Sequence, residues 1–198
     1  MDDLVNQHKD QTEKNELLLW ACARGLLADA VELVAQGADA NAQDKEGRRP
    51  IHFAAAHGHA PIIEFLTSKG ADADPDDKRG RGPLHYAALG RHVEAVDVLL
   101  ARGAWADATD GEDDTPLHLA ARGMPPTVDE GADAQRVGAR HQRAAATIRS
   151  LTTLGSAKLE LKNKRGLTPL GEAVAAGDGG AVGALLDARA LATVLPQG

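Results

Sequence analysis

One seven-residue phrase decides the fold, and its three clear copies are R-P-I-H-F-A-A at 49–55, G-P-L-H-Y-A-A at 82–88 and T-P-L-H-L-A-A at 115–121. A fourth and weaker copy reads T-P-L-G-E-A-V at 168–174. The prolines of the clear copies, Pro50, Pro83 and Pro116, follow one another at intervals of 33 residues. A fixed period of this size indicates a stack of short repeats, in which each unit contacts only its neighbours.

The residues around each phrase predict a helix, a turn, a second helix and an extended finger. In the second unit, Pro50 suits the first turn of a helix, where its missing N–H costs nothing. Gly58 suits the end of that helix, and Gly70 suits the end of the next one. The polar stretch 71–80 that follows is rich in turn-forming residues and predicts the finger.

These features resemble the ankyrin repeat, which has a period of 33 residues, a T-P-L-H-x-A phrase and two helices with a β-turn. The stretch G-A-D-A-N-A-Q-D at 37–44 is also similar to the finger of that family. The resemblance covers roughly residues 12–190. It implies an all-α repeat solenoid, an ankyrin-repeat stack of helix-turn-helix units with β-turn fingers.

By register, we divide the chain into a polar N-terminal extension at 1–11, one ankyrin-repeat domain at 12–190 and an apolar tail at 191–198. The five expected repeats, of which the first and last are cap-like, span 12–47, 48–80, 81–113, 114–166 and 167–190. Asp10 and Glu13 could form a capping box at the start of the first helix. The tail is expected to fold back over the last helix pair or, alternatively, to form a docking surface.

The fourth repeat is stretched, because its proline and the proline of the next phrase lie 53 residues apart instead of 33. About 19 of the additional residues fall at 124–142, between the two helices of the repeat. They predict a surface loop or, alternatively, a docking loop for a specific partner. Arg136, Arg140 and Arg143 recur at helical spacing, so they could also form one basic face that lengthens the second helix.

Composition restricts the function further. The formal charge of −7 over 198 residues argues against general nucleic-acid binding, which calls for a basic footprint. The single cysteine, Cys22, excludes an intramolecular disulfide and fits a reducing compartment. Residues 1–15 lack the apolar core of a secretory signal, and no apolar run is long enough for a membrane span. We therefore predict an intracellular, cytoplasmic protein, and we leave its oligomeric state open.

The histidines of the phrase, His52, His85 and His118, form a ladder that invites a metal-binding interpretation. Successive layers of packed helices lie about 8–10 Å apart, whereas zinc holds nitrogen ligands at about 2.0–2.1 Å. The resemblance implies instead that each histidine joins a helix start to the neighbouring finger through hydrogen bonds. No nucleotide-binding or catalytic motif is present, so we predict no metal, no cofactor, no catalytic residue and no enzymatic activity.

The resemblance also implies that a protein partner binds the concave side, at finger tips and at the ends of the inner helices. By register, the expected contact residues are Lys45, Glu46, Arg48, His57, Lys78, Arg79, Arg81, Leu89, Trp105, Glu112, Asp114, Arg122, Lys164 and Arg165. We predict a non-catalytic adaptor, scaffold or regulatory subunit. The alternative is a structural subunit of a larger assembly, docked through the repeat-four insert and the C-terminal edge.

Two features of this surface leave alternatives open. The second and fourth fingers are basic and the third is acidic, so the fingers could attract one another or could encode a partner by charge. Trp105 replaces the aspartate that the resemblance implies at its position. It could pack on an adjacent finger stem, or it could be an interface hot spot, because tryptophan is enriched there.

Overall fold

The computed structural model describes the backbone of residues 2–123 and 134–194, and the side chains of residues 10–123 and 135–193. Within these ranges the chain forms ten helices and no strand. The helices are α1 (Asp2–Arg24), α2 (Leu27–Ala35), α3 (Pro50–Ala56), α4 (Ala60–Ser68), α5 (Pro83–Gly90), α6 (Val93–Ala101), α7 (Pro116–Arg122), α8 (Ala134–Thr153), α9 (Pro169–Ala175) and α10 (Gly179–Val194). The predicted all-α repeat stack is confirmed.

The helices pack in two layers. The odd-numbered helices, which we call the inner helices, contact one another in chain order, and the even-numbered outer helices do the same. Each inner helix also packs on the outer helix that follows it. The apolar residue after each phrase proline is fully buried at Ile51, Leu84 and Leu117, and burying such a side chain stabilises the fold by about 1.5–3 kcal/mol.

The prolines of the phrase each begin an inner helix, as the sequence predicted. Pro50, Pro83, Pro116 and Pro169 are the first residues of α3, α5, α7 and α9. A proline is tolerated there because its missing N–H would have no partner within the helix. Gly58 follows α3 with φ +74°, a conformation that glycine adopts without the steric cost of a side chain.

The expected start of the first helix is wrong. A capping box of Asp10 and Glu13 would begin the helix near residue 10, but α1 begins at Asp2 and continues through both residues. Residues 2–16 contain neither glycine nor proline, and Asp10 pairs with Lys14 at 2.8 Å along the same helix. Such a pair four residues apart supports a continuous helix.

The expected loop at 124–142 is also wrong over its second half. The outer helix α8 begins at Ala134, so residues 134–142 are helical, while 124–133 lie outside the described residues. The added helix packs tightly on α10, since a Cβ at Gly180 would collide with the carbonyl oxygen of His141. The basic residues of the insert therefore lengthen the second helix of the repeat, which the helical spacing of Arg136, Arg140 and Arg143 predicted as an alternative to a loop.

The tail does not fold back over the last helix pair as far as the structure describes it. The outer helix α10 continues to Val194, and Leu191 on it is 63 % exposed. The Ala- and Leu-rich sequence from 179 contains no proline before Pro196, so nothing in its local chemistry stops the helix earlier. Residues 195–198 lie outside the described part of the chain.

Candidate protein-binding surface

Four fingers connect an outer helix to the next inner helix, at residues 41–48, 74–81, 107–114 and 160–167. Each finger closes around one side-chain oxygen that accepts two backbone N–H groups. In the second finger, the Asp77 Oδ1 atom accepts from Arg79 at 2.7 Å and from Arg81 at 2.9 Å. The same position holds Asp44, Asp110 and Asn163 in the other fingers. The fingers are therefore stiff turns.

The fingers are also joined to one another by backbone hydrogen bonds. In each bond an N–H of the later finger donates to a carbonyl of the earlier one, from Lys78 to Glu46 (2.9 Å), from Gly111 to Arg79 (2.7 Å) and from Lys164 to Glu112 (3.0 Å). The ammonium group of Lys78 adds a bond to the carbonyl of Lys45 at 2.6 Å. This finger ladder fixes the spacing of the finger tips.

Several predicted contact residues lie together on this ladder. Its exposed tip residues are Lys45, Glu46, Lys78, Arg79, Glu112 and Lys164. The carbonyls of three of them belong to the ladder itself, which places these residues in one row along the stack. The ammonium groups of Lys78 and Lys164 donate to carbonyls of the preceding finger. His57 is exposed and Leu89 is half-buried, but both lie near the other end of the inner helices. The structure therefore brings the finger residues together and leaves these two apart.

The prediction that Asp114 contacts a partner is wrong. Its residue surface is 2 % exposed, and its carboxylate accepts hydrogen bonds from Arg122 and, at 2.7 Å, from the side-chain amide of Asn163. A buried carboxylate is stable only when such donors compensate its lost hydration. Asp114 and its partner Arg122 therefore hold the base of the third finger.

Part of the predicted charge alternation is internal to the fold. Arg81 of the second finger donates to Asp110 of the third at 2.8 Å, and that carboxylate is almost completely buried. Burial opposes ionisation of Asp110, but hydrogen bonds from the Arg81 side chain and from backbone N–H groups outweigh it and lower the pKa of the carboxyl group. Neighbouring fingers attract each other here, as one alternative predicted. Glu112 stays exposed at the tip of the third finger.

Two further arginines of the predicted set are engaged within the protein. Arg48 pairs with Asp44 at 2.7 Å and lies over the Phe53 ring, with 4.7 Å from its guanidinium carbon to the ring centroid. Arg165 pairs with the buried carboxylate of Glu172 on α9. Both guanidinium groups stabilise a finger base, so a partner would have to compete with these ion pairs.

Trp105 is held by its backbone and exposed at its ring. Its N–H donates to the Asp74 carboxylate of the preceding finger at 2.9 Å, while the residue as a whole is 64 % exposed. The neighbouring finger thus fixes the position of the backbone without covering the indole. This geometry favours the interface alternative over the packing alternative.

The histidine ladder has the predicted hydrogen bonds. The Nε2 atoms of the three rings face carbonyls of the next finger, His52 with Arg81 (3.1 Å), His85 with Asp114 (3.1 Å) and His118 with Leu167 (3.0 Å). The Nδ1 atom of His85 accepts from the Gly82 N–H at 3.2 Å, so Nε2 carries the proton and donates. Burial lowers the pKa of His52 and His85, which keeps both rings neutral.

A buried ion pair at the opposite end of the inner helices was not predicted. Arg91 has φ 57° and is 5 % exposed. Its guanidinium group donates to the carbonyls of Ala120 at 3.0 Å and Ala121 at 3.2 Å, and to the Asp178 carboxylate at 2.6 Å. These bonds compensate the cost of placing a non-glycine residue in the left-handed region. The signal in the sequence is the 33-residue register, which places Arg91 where Gly58 stands one repeat earlier.

Asp178, which lies between α9 and α10, is the acidic partner of Arg91 in this ion pair. Its carboxylate also accepts the Ala181 N–H at 3.0 Å, so it caps the start of α10. Burial opposes its ionisation, but the hydrogen bonds from Ala181 and Arg91 lower the pKa of the carboxyl group. Asp178 and His59 occupy equivalent positions, since each directly follows a helix-ending glycine. His59 uses this position differently, because its ring bonds to the Ala23 carbonyl at 3.3 Å.

A family model described as ankyrin repeats, in three copies, matches residues 18–110 and 70–130. The matched residues together cover more than half of the chain, so the protein belongs to the ankyrin repeat family. Ankyrin repeats are generally protein–protein interaction modules, and proteins built from them are typically non-enzymatic. No curated protein was found to match the chain. Its division into five repeats stays a prediction.

The described part of the chain contains neither a membrane-spanning helix nor a metal site. In the ranges 2–123 and 134–194, no helix is both long enough and apolar enough to cross a membrane. Among the side chains that the structure describes, no three histidine, cysteine or carboxylate groups are arranged to hold a metal ion. The thiol of Cys22 is buried, and burial raises its pKa to about 12, so it is a poor nucleophile.

Proposed function

We propose that the chain is a non-catalytic adaptor, scaffold or regulatory subunit that binds a protein partner through its finger tips. The observation that carries this proposal is the row of exposed charged tips on the finger ladder. Because the ladder fixes the tips before a partner arrives, little conformational entropy is lost on binding. His57 and Leu89 stay in the proposed contact set, but they lie apart from the finger row, near the other end of the inner helices.

The proposed contact set is narrower than the set expected from sequence. Asp114 is excluded by its burial, and Arg81 and Arg122 are engaged with buried carboxylates. The remaining tips present both signs of charge in a fixed order, which would orient a complementary partner and speed its association. Trp105 would add an exposed aromatic anchor of the kind that dominates interface energies.

Quantitative affinity capture from native lysate tests the proposal with a Trp105→Ala, Arg79→Glu double variant. The matched control is Trp20→Ala, Arg102→Glu, which also removes one exposed tryptophan and reverses one exposed arginine. We expect a specific protein to be captured by the wild type and the control and to be lost from the finger variant. Equal capture by all three chains, or equal loss from both variants, would refute a partner site on the fingers.

We also propose that this binding takes place inside the cell, in the cytoplasm, with a protein partner and not with nucleic acid. The single cysteine supports this setting, because the chain needs no disulfide to hold its fold. The formal charge of −7 supports the choice of a protein partner. Fractionation of cells that express the tagged chain measures the compartment directly, and recovery from the medium would contradict the proposal.

A second candidate is a structural subunit docked through the repeat-four insert and the C-terminal edge. The observation that favours it is an open groove of ≈ 780 Å³ between the end of α10 and the stem of the fourth finger. Leu186 and Leu191 are exposed on the same helix. Deletion of 191–198 would then abolish incorporation into a large complex, whereas Arg79→Glu would leave it intact. Size-exclusion profiles of lysates distinguish the two results.

A further inference from the structure

The last unit of the stack exposes a position that the earlier units bury. Val174 is the seventh residue of the last phrase, and the same place in the other copies holds Ala55, Ala88 and Ala121. These three alanines are fully buried, whereas Val174 is 63 % exposed. Each alanine lies on an inner helix that is covered by the next inner helix. Val174 lies on α9, the last inner helix that the structure describes, so its side chain faces solvent.

Three other apolar residues of the last unit are less covered than, or only as covered as, residues that pack against a following unit. They are Leu170, Val182 and Leu186, which lie 86 positions after Leu84, Val96 and Leu100. Leu84 and Val96 are buried, whereas Leu170 and Val182 are half-buried. Leu100 is half-buried, whereas Leu186 is 48 % exposed. We call Leu170, Val174, Val182 and Leu186 the end face.

The opposite end of the stack is closed by charged side chains. Asp29 and Glu32 are exposed on α2, the first outer helix. One repeat later the same places hold Ile62, which is buried, and Phe65, which packs on the core. The terminal units of a repeat stack need a polar outer surface to stay soluble. The N-terminal unit has such a surface, whereas the end face is an apolar patch of the kind that marks interaction sites.

Two observations argue against a head-to-tail contact, in which the N-terminal end of a second copy covers the end face. Such a contact would bury Asp29 and Glu32 against apolar side chains, which is costly for unpaired carboxylates. In addition, each phrase histidine bonds a carbonyl of the next finger, as His118 does with Leu167. The last phrase has Gly171 at this place, so it lacks the side chain with which earlier units hold a following finger.

The charges beside the end face are balanced. In the stem of the fourth finger, 157–161, and in 179–193 of α10, the charged residues are Lys158, Glu160, Asp187 and Arg189. Glu172 of α9 is buried and pairs with Arg165. The net charge of −7 makes two copies of the chain repel each other in general, but this end carries two charges of each sign. A twofold axis here allows acidic groups of one copy to face basic groups of the other.

The surface beside the end face contains both a groove and a projecting side chain. The open groove of ≈ 780 Å³ at the end of α10 has Leu159, Leu161 and Ala192 in its walls. Leu191 precedes Ala192 in the chain and is largely exposed. In a twofold contact, the same patch of both copies takes part, so each contact occurs twice. Leu191 of each copy can thus enter the groove of the other.

We propose that the end face joins two copies of this chain in a twofold-symmetric dimer. The outer helix α10 has 16 residues, so it is about 24 Å long, and two packed helices are about 20 Å wide. The face therefore presents up to about 500 Å², compared with about 800 Å² per partner in a standard interface. An interface of this size predicts a reversible equilibrium between monomer and dimer. The first three fingers belong to other units, so the dimer would carry two finger rows.

Sedimentation equilibrium of the purified full chain, from about 1 μM to about 500 μM, tests this proposal. The variant Val174→Glu, Leu186→Glu places two charges on the end face. The matched control Leu17→Glu, Val31→Glu makes the same changes in the first unit, where Leu17 is as exposed as Leu186. We expect the wild type and the control to dimerise, and the dissociation constant of the end-face variant to be at least about tenfold higher.

A wild type that stays monomeric at every concentration would overturn the proposal, as would equal dimerisation of the end-face variant and the control. Assemblies that grow beyond a dimer would indicate head-to-tail contacts and would also overturn it. If circular dichroism shows that the double variant is unfolded, Val174→Glu alone repeats the test at the more exposed of the two residues.

This inference rests on the second candidate function, because it names a second copy as the occupant of the C-terminal edge. The experiment separates the two, since a purified chain that is monomeric overturns the dimer even if the chain enters a large complex in lysate. The finger proposal is separated by Arg79→Glu, which lies outside the end face and should dimerise like the wild type. Loss of the dimer in that variant would contradict the location of the interface.

Discussion

The regular part of the stack, α3 to α6, and the stretched part, α7 to α10, close their turns in different ways. In the regular part the histidine after each turn bonds back by one layer, from His59 to the Ala23 carbonyl and from His92 to the Ala56 carbonyl. In the stretched part Asp178 reaches across the intervening helix pair to Arg91, which lies in the turn after α5. The stretched part thus depends on one buried ion pair, whereas the regular part relies on hydrogen bonds between neighbouring layers, so the two parts should respond differently to mutation and to pH.

The largest expected effect comes from breaking that ion pair with Asp178→Ala. The change leaves the buried Arg91 guanidinium without its counter-charge, which should lower the free energy of unfolding by about 3–5 kcal/mol. Urea denaturation of the variant and the wild type measures this difference. The control Asp187→Ala removes an exposed carboxylate from the same helix and should stay within about 0.5 kcal/mol.

A double variant sharpens the same prediction. Arg91→Ala, Asp178→Ala removes both charges, so it should lose less stability than the two single variants added together. If Asp178→Ala cost less than about 1 kcal/mol, the stretched part would not depend on this pair, and the contrast between the two regions would fail.

A smaller loss is expected in the regular part for His85→Ala. The variant leaves the buried Gly82 N–H without the acceptor that it has at 3.2 Å and removes one donor from the Asp114 carbonyl. An unsatisfied buried group costs about 1–3 kcal/mol, so we expect about 2 kcal/mol in thermal or urea unfolding. His57→Ala, at an exposed ring, is the matched control, and an equal loss there would contradict the assignment.

Acid should distinguish the two regions within one molecule. Burial lowers the pKa of His52 and His85 below the ordinary value of 6.5, so the unfolded chain takes up these protons first as the pH falls. The stabilisation that the neutral rings contribute is complete above about pH 6.5 and is lost as the pH falls through the lowered pKa values. The pKa of Asp178 is lowered from 3.8, so its contribution persists until about pH 4 and is lost below.

Hydrogen exchange followed by mass spectrometry at about pH 7.5 and pH 5 measures this contrast segment by segment, after correction for intrinsic exchange. Protection should fall in α3 and α5, whose first turns hold the histidines, before it falls at the start of α10. Loss of protection first at α10 would show that the ion pair is the more acid-sensitive element.

The smallest effect on stability is expected at the finger tips. Arg79→Glu and Trp105→Ala change exposed side chains and should alter the free energy of unfolding by no more than about 0.5 kcal/mol. Arg81→Glu is the matched comparison, because it leaves the buried Asp110 carboxylate facing a like charge. Melting temperatures should therefore separate Arg81 from Arg79, and equal values would contradict the distinction between finger base and finger tip.

The repeating phrase allowed most of the fold to be predicted, because its chemistry is local. Pro50 begins a helix and Gly58 turns the chain through conformational preferences that need no distant partner. The hydrogen bonds of His52, His85 and His118 followed from the family resemblance, since each recurs at a fixed register.

The candidate site was less predictable, because burial decides which charges are available. Asp114 and Glu112 look alike in the sequence of the third finger, but only Glu112 remains exposed. The pair of Arg91 and Asp178 joins residues 87 positions apart, on either side of the repeat that carries the insert. No spacing rule of a regular repeat contains that information.

The bond between Arg91 and Asp178 also changes how the stack can come apart. A chain of units that touch only their neighbours opens from its ends, one interface at a time. Here the last unit is bonded to the unit two places before it. Unfolding of α10 would therefore also remove the counter-charge of Arg91 at the end of α5. We therefore expect α5 to α10 to unfold together in a single cooperative step. The N-terminal helices lack such a long-range bond and should unfold locally on their own.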